Sequence, residues 1–220
     1  MSIKQLLIDL NTQRDFLCRD GAVKVVNRIQ VLPAVRAIIR WARIQQVPIV
    51  STIEAHRPNE TTNTRPRHCI DGSLGQRKLP FTLLPGRILV EADNTHALPT
   101  DLLSRYRQII FRKRTADLLA NPKADRLLSH LDVENIYVFG MTVETSVKPL
   151  VLGLLARNRP VSVIADACGW WDPLEADLAF RQMATKGARL IQTADLVGQV
   201  GSPSRPGPAP RRLSRRRARA

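Results

Sequence analysis

Short apolar runs alternate with longer amphipathic stretches along most of the chain. Runs that read as strands are Gln5–Leu10, Pro48–Thr52, Ile88–Val90, Gln108–Phe111, Ile136–Phe139, Val161–Ile164 and Arg189–Gln192. Between them, Leu32, Val35, Ile39 and Ala42 recur at helical spacing, and Val147, Leu150, Val151, Leu154 and Leu155 form a second apolar face. Asn121-Pro122 reads as an N-cap followed by proline at the first helical position, leading to Leu127, Leu128 and Leu131. Asp172-Pro173 opens a last helix that Gly187 should end. Strand and helix alternating at this spacing predict an α/β fold, a three-layer α/β/α arrangement with a mainly parallel, doubly wound sheet. Such sheets place their sites beyond the carboxyl ends of strands, here after Leu10, Thr52, Phe111, Phe139 and Ile164. The stretch from Ile53 to Pro85 lacks a regular pattern and is rich in Pro, Asn, Thr and Arg, as long functional loops are.

With 220 residues, 44% of them apolar, the chain has the size and the core material of one ordinary domain, which excludes global disorder. No apolar run approaches the roughly 20 residues of a membrane-spanning helix, so no membrane partner is expected. The segment MSIKQLLIDL is too short in apolar residues for a signal peptide's core. Cys18, Cys69 and Cys168 are widely spaced without a CxxC pair, and a reducing, cytoplasmic location is the simplest expectation. Of the net charge of +15, residues 201–220 contribute seven Arg and no acid, leaving about +8 (15 − 7) on the rest. The chain therefore divides into a domain over residues 1–199 and an Arg/Pro-rich basic tail over 200–220, expected to be disordered. Such a tail suits weak contact with nucleic acid or acidic surfaces, or is a solvated extension; no aromatic residue interleaves with its arginines to stack on bases.

Chemistry concentrates at the strand ends. The first strand ends in IDLNTQRDF, where Asp9 and Asn11, two apart, share a face; Asp9 is a candidate acid or base, the alternative being that Asp9 or Asp15 caps the following turn. Lys113 stands where the fourth strand stops and would neutralise a carboxylate or support an anionic nucleophile. After the fifth strand comes FGMTVETSVKPLV, with Ser146 at the expected start of a helix whose first amides are free for an oxyanion; Ser146 is a candidate nucleophile or an N-cap. In the long loop, Glu54, His56 and His68 offer one carboxylate and two imidazoles, a set suited to a divalent transition metal such as zinc, iron or manganese.

In order and spacing, IDLNTQRDF, STIEAH, RPRHCIDGSLGQRKLP, FRKRTADLLANP, YVFGMTVETSVKPLVLGLLARNRPVSVIADA and GARLIQTADLV resemble the isochorismatase-like hydrolase superfamily, which includes nicotinamidases. The resemblance spans roughly residues 4–197 and implies a small-molecule substrate and a fold that often self-associates into homo-oligomers. It also implies an Asp after the first strand, a Lys after the fourth and a nucleophilic Cys after the fifth, with a metal held by an Asp and two His in the loop that Glu54, His56 and His68 occupy here.

Two of the three catalytic positions differ. Aligned on the Q-x-D-F that follows the family's Asp, the equivalent residue is Asn11; the nucleophile's place is held by Ser146; Lys113 matches. A serine hydroxyl needs a base to become a nucleophile, and Asn11 is not one. The sequence therefore leaves two functions open. One is a hydrolase of a small amide or enol ether with a degenerate triad, in which Asp9 acts if the strand shifts by two residues. The other is an inactive relative that binds a small ligand, a partner or nucleic acid through the pocket or the tail, or serves as a structural subunit.

Overall fold

The computed structural model describes residues 3–60, 66–93, 95, 97–99 and 101–198. The strands are β1 (Ile3–Leu10), β2 (Ile49–Glu54), β3 (Arg87–Val90), β4 (Gln108–Lys113), β5 (Val133–Met141), β6 (Val161–Gly169) and β7 (Arg189–Ile191). The helices are α1 (Arg14–Leu17), α2 (Arg28–Ile44), α3 (Leu102–Arg105), α4 (Pro122–His130), α5 (Lys148–Ala156), α6 (Pro173–Thr185) and α7 (Thr193–Val197). All seven strands pair in parallel in the order β3-β4-β2-β1-β5-β6-β7. The expected tail over 200–220 lies outside the described residues.

The order of strands explains the layers. From β1 the chain steps through α2 to β2 on one side, then returns across the sheet through α4 to β5 and steps outward through α5 to β6. Crossovers of one hand running in opposite directions put their helices on opposite faces. So α2, which packs with α7, covers one face, and α5, which packs with α6, covers the other. A sheet covered on both faces buries its strands throughout: Ile8, Val50, Ile109, Val138 and Val163 are fully buried. That double burial is why these strands read as continuous apolar runs.

The helix signals act as capping chemistry. Asn121 accepts from the amides of Lys123 and Ala124 at the start of α4, and Asp172 from those of Leu174 and Glu175 at the start of α6. α6 ends two residues before Gly187, whose φ of 105° is easy only for glycine.

Candidate active site and metal centre

Four strand ends converge. Asn11 follows β1, Glu54 ends β2, Lys113 ends β4 directly beside Glu54, and Ser146 lies in the turn after β5. The Ser146 hydroxyl oxygen is 3.1 Å from Asn11 Nδ2 and 3.4 Å from Lys113 Nζ, and it is almost wholly buried. Gly140 makes this approach of β5 to β1 possible. Its φ is 137°, and a Cβ there would stand 2.1 Å from the Leu10 carbonyl oxygen.

Asn11 is held from all sides. Its Nδ2 faces three acceptors that share its two hydrogens, the Met141 carbonyl at 2.7 Å, Glu54 Oε2 at 3.0 Å and the Ser146 oxygen, while its Oδ1 accepts from the Thr52 hydroxyl at 2.7 Å. Met141 O and Glu54 are acceptors, which settles which end of the amide faces them. Lys113 Nζ donates to Glu54 Oε2 at 3.3 Å and to the carbonyls of Thr115 and Ala116, both at 3.1 Å. Ser146 thus faces two nitrogen donors, and among the described residues no group accepts its hydrogen.

Glu54 joins this cluster to the loop. Its second oxygen, Oε1, lies 2.9 Å from His56 Nε2 and 3.2 Å from His68 Nε2, and the three potential ligand atoms fall within 4.8 Å of one another. Burial pushes the Glu54 carboxyl up, but the Lys113 charge and the bonds from His56 and His68 outweigh it and hold the carboxyl well below its usual range. Burial pushes His68 down, yet its bonds to Glu54 and to the Pro66 carbonyl raise it above its ordinary value. His68 Nδ1 sits 2.8 Å from the Pro66 carbonyl, so that nitrogen carries a hydrogen and Nε2 is the atom turned to Glu54.

This donor set fits a divalent metal. An anionic carboxylate oxygen and two imidazole nitrogens converge, the mix of oxygen and nitrogen donors that such ions take. Among the described residues His56 Nδ1 is buried without a hydrogen-bond partner, and Glu60 Oε2 lies 3.6 Å from it. On the other side of His68, the Phe16 ring meets it edge-on at 5.8 Å and continues to Trp171 at 6.0 Å, giving the site an aromatic wall. A cavity of about 350 Å³ opens beside Lys113, with Arg57, Arg114 and Asn121 among its lining residues.

Asn11, Lys113 and Ser146 are brought together as the strand-end rule anticipates, and so are Glu54, His56 and His68. Asp9 goes elsewhere. Its carboxylate is fully buried against Lys78 Nζ at 2.8 Å and the Ser51 hydroxyl at 3.0 Å. The regular alternation that put Asp9 and Asn11 on one face stops at Leu10, because Asn11 turns into the left-handed region with φ 51°. A shift of two residues would break pairing with β2 and β5 that runs in register through Asp9, so Asp9 does not substitute at position 11. The turn after β5 also differs from expectation. It begins at Val143 as a wide turn, and the amides of Ser146 and Val147 both donate to the Thr142 carbonyl at 3.0 Å, so these two are not free for an oxyanion. Cys69, beside His68, is fully buried, and burial together with Glu54 and Asp15 pushes its thiol far up.

Sequence reasoning missed three supporting residues. Thr52 orients Asn11, Gln13 brackets the backbone of Glu54, and Lys78 ties the loop to Asp9, Thr12 and Thr52. All three lie inside the quoted motifs, and that membership is the one signal the chain offers for them.

A parallel α/β sheet with a lysine, a hydroxyl and a carboxylate–bis-histidine cluster at its carboxyl edge has its candidate small-molecule site where such sheets bind their ligands. The isochorismatase domain family matches residues 5–195, and the chain belongs to that family. Nicotinamidase of Escherichia coli (strain K12) is 24% identical over 205 residues, covering 86% of this chain and 94% of that protein. Among solved structures, pyrazinamidase of Pyrococcus horikoshii in complex with zinc is similar with a TM-score of 0.68 at 22% identity, covering 86% of this chain and 99% of that one. An isochorismatase-like hydrolase from Alkaliphilus metalliredigens gives 0.71 at 16% identity, with 89% and 98% covered.

Proposed function

We propose that this chain is a hydrolase of a small amide or enol ether that works by direct attack of water, without a covalent acyl-enzyme, and that Glu54, His56 and His68 hold a divalent metal for it. The observation that carries this reading is the pair of donors on Ser146. With Asn11 and Lys113 both turned toward its oxygen, none of the described residues takes its proton, so it is a poor nucleophile. The same two donors leave its own hydrogen for a ligand. In this reading Ser146 donates to the carbonyl or ether oxygen, Lys113 supplies positive charge beneath it, and Asn11 fixes both. A metal at the three loop ligands would supply Lewis-acid polarisation of water or carbonyl. The zinc in the Pyrococcus horikoshii pyrazinamidase supports the choice of ion.

Turnover of a panel of nicotinamide, carbamoyl and enol-ether compounds, with zinc, iron or manganese added and with chelator, tests the reading. Metal-dependent release of product is expected, and turnover that is indifferent to chelation would overturn it. A second reading, ligand binding without turnover, is favoured by Asn11 itself, whose amide is no base and whose side chain is fully engaged with Glu54, Met141 and Thr52. It would be selected by panel compounds that raise the melting temperature yet are never cleaved.

A further inference from the structure

We infer that Gln13 and Asp15 are positioning residues for the metal ligands, Gln13 setting Glu54 and Asp15 setting the two histidines. The inference rests on the reading of Glu54, His56 and His68 as ligands. Gln13 is fully buried, and its side chain grips Glu54 through the main chain on both sides. Its Oε1 accepts from the Glu54 amide at 2.8 Å, and its Nε2 donates to the Glu54 carbonyl at 2.9 Å. The second Nε2 hydrogen goes to the Gln76 carbonyl at 2.8 Å, in the loop that carries His68. A single amide thereby fixes the residue that ends β2 and ties it to the segment opposite.

Asp15 works on the other two ligands. Its Oδ2 accepts from the Cys69 amide at 2.6 Å, the residue after His68, and its Oδ1 accepts from the Ala22 amide at 3.1 Å. Cys69 in turn accepts at its carbonyl from the His56 amide at 3.0 Å, so one carboxylate anchors the backbone junction from which both imidazoles project. Cys69 adopts φ 46°, a conformation uncommon for a residue with a side chain, and the bond from its amide to Asp15 holds it there. Gly75 leaves the room, since a Cβ at that position would lie 2.2 Å from Asp15 Oδ2. Neither Gln13 nor Asp15 hydrogen-bonds a ligand side chain. They act through backbone, as outer residues that orient metal ligands do.

A merely structural role would lower stability and leave the metal alone, and Gln108 supplies the comparison. It is another fully buried glutamine that brackets backbone, bonding the Leu84 amide and the Thr82 carbonyl, but it holds none of the three ligands. Zinc affinity, measured at 25 °C by competition with a chromophoric chelator, and the melting temperature of the metal-free protein are read for Gln13→Met, Asp15→Asn and Gln108→Met. All three are expected to melt lower, while zinc binding weakens about 10–100-fold in Gln13→Met and Asp15→Asn and stays within twofold in Gln108→Met. Should Gln13→Met not fold, Gln13→Glu retains the acceptor for the Glu54 amide, loses both donated bonds and carries the same expectation. Unchanged zinc affinity in the position 13 and 15 variants would overturn the inference. Absence of zinc binding by the wild-type chain would instead overturn the metal reading beneath it.

Discussion

Asn11 uses its side chain fully, and that determines what a carboxylate would meet in its place. In Asn11→Asp, an oxygen replaces the nitrogen that faces the Met141 carbonyl at 2.7 Å and Glu54 Oε2 at 3.0 Å. Three oxygens without a proton between them raise the new carboxyl above its unfolded value. A carboxyl raised in the folded state costs stability above its folded pKa and nothing below its unfolded one, so the loss should grow as pH rises. A decrease of about 1–3 kcal/mol near neutral pH is expected from denaturant unfolding, shrinking at acid pH. Adding Glu54→Gln should recover part of it, because Glu54 is the carboxylate that already pairs with Lys113. A fully stable Asn11→Asp at neutral pH would mean that the site tolerates a second carboxylate and that Glu54 is not the settled counter-ion of Lys113.

At the level of elements, the close approach of β1 and β5 is the feature on which the site depends. Gly140→Ala would drive a methyl group into the Leu10 carbonyl in a backbone conformation that side chains rarely adopt. Loss of soluble protein, or destabilisation of about 3 kcal/mol or more, is expected. Asn121→Ala, which removes the cap of α4 and a 3.4 Å bond to the Arg112 carbonyl, should cost about 1 kcal/mol. Equal effects of the two in denaturant unfolding would contradict this ranking. The seven strands and four long helices were legible in the chain because two-sided burial writes apolar runs and because Asn121 and Asp172 announce helix starts. The carboxyl-edge rule then pointed to Asp9, Lys113 and Ser146, and the family resemblance to Asn11. Asp9 was misleading because alternation ceases where Asn11 turns left-handed, and because its partner Lys78 arrives from a distant loop. The grip of Gln13 on Glu54 was not legible, since a side chain bonding to backbone selects for no residue type at the other end.

For the molecule as a whole, a metal held as proposed by Glu54, His56 and His68 would compete with protonation of His68, and stability should record it. In the metal-free protein His68 is raised above its ordinary value by Glu54 and Pro66 against the effect of burial. Its contribution is therefore complete below the unfolded value of about 6.5 and disappears as pH rises through the higher folded value. Zinc bound at these three residues would displace that proton and bind more strongly over the same window. The gain in melting temperature on adding zinc should thus be larger at pH 8 than at pH 6. A gain that is independent of pH would place the ion on other ligands.

The most direct test of chemistry without an acyl-enzyme is the kcat/KM of Ser146→Ala on whichever compound the wild-type chain cleaves. If Ser146 only donates a hydrogen bond, the loss should be about 10²–10³-fold, the scale of removing one oxyanion donor, with metal dependence retained. A loss on the order of 10⁶-fold, the scale of deleting a nucleophile, together with a trapped acyl adduct on Ser146 of the wild-type chain, would contradict the account.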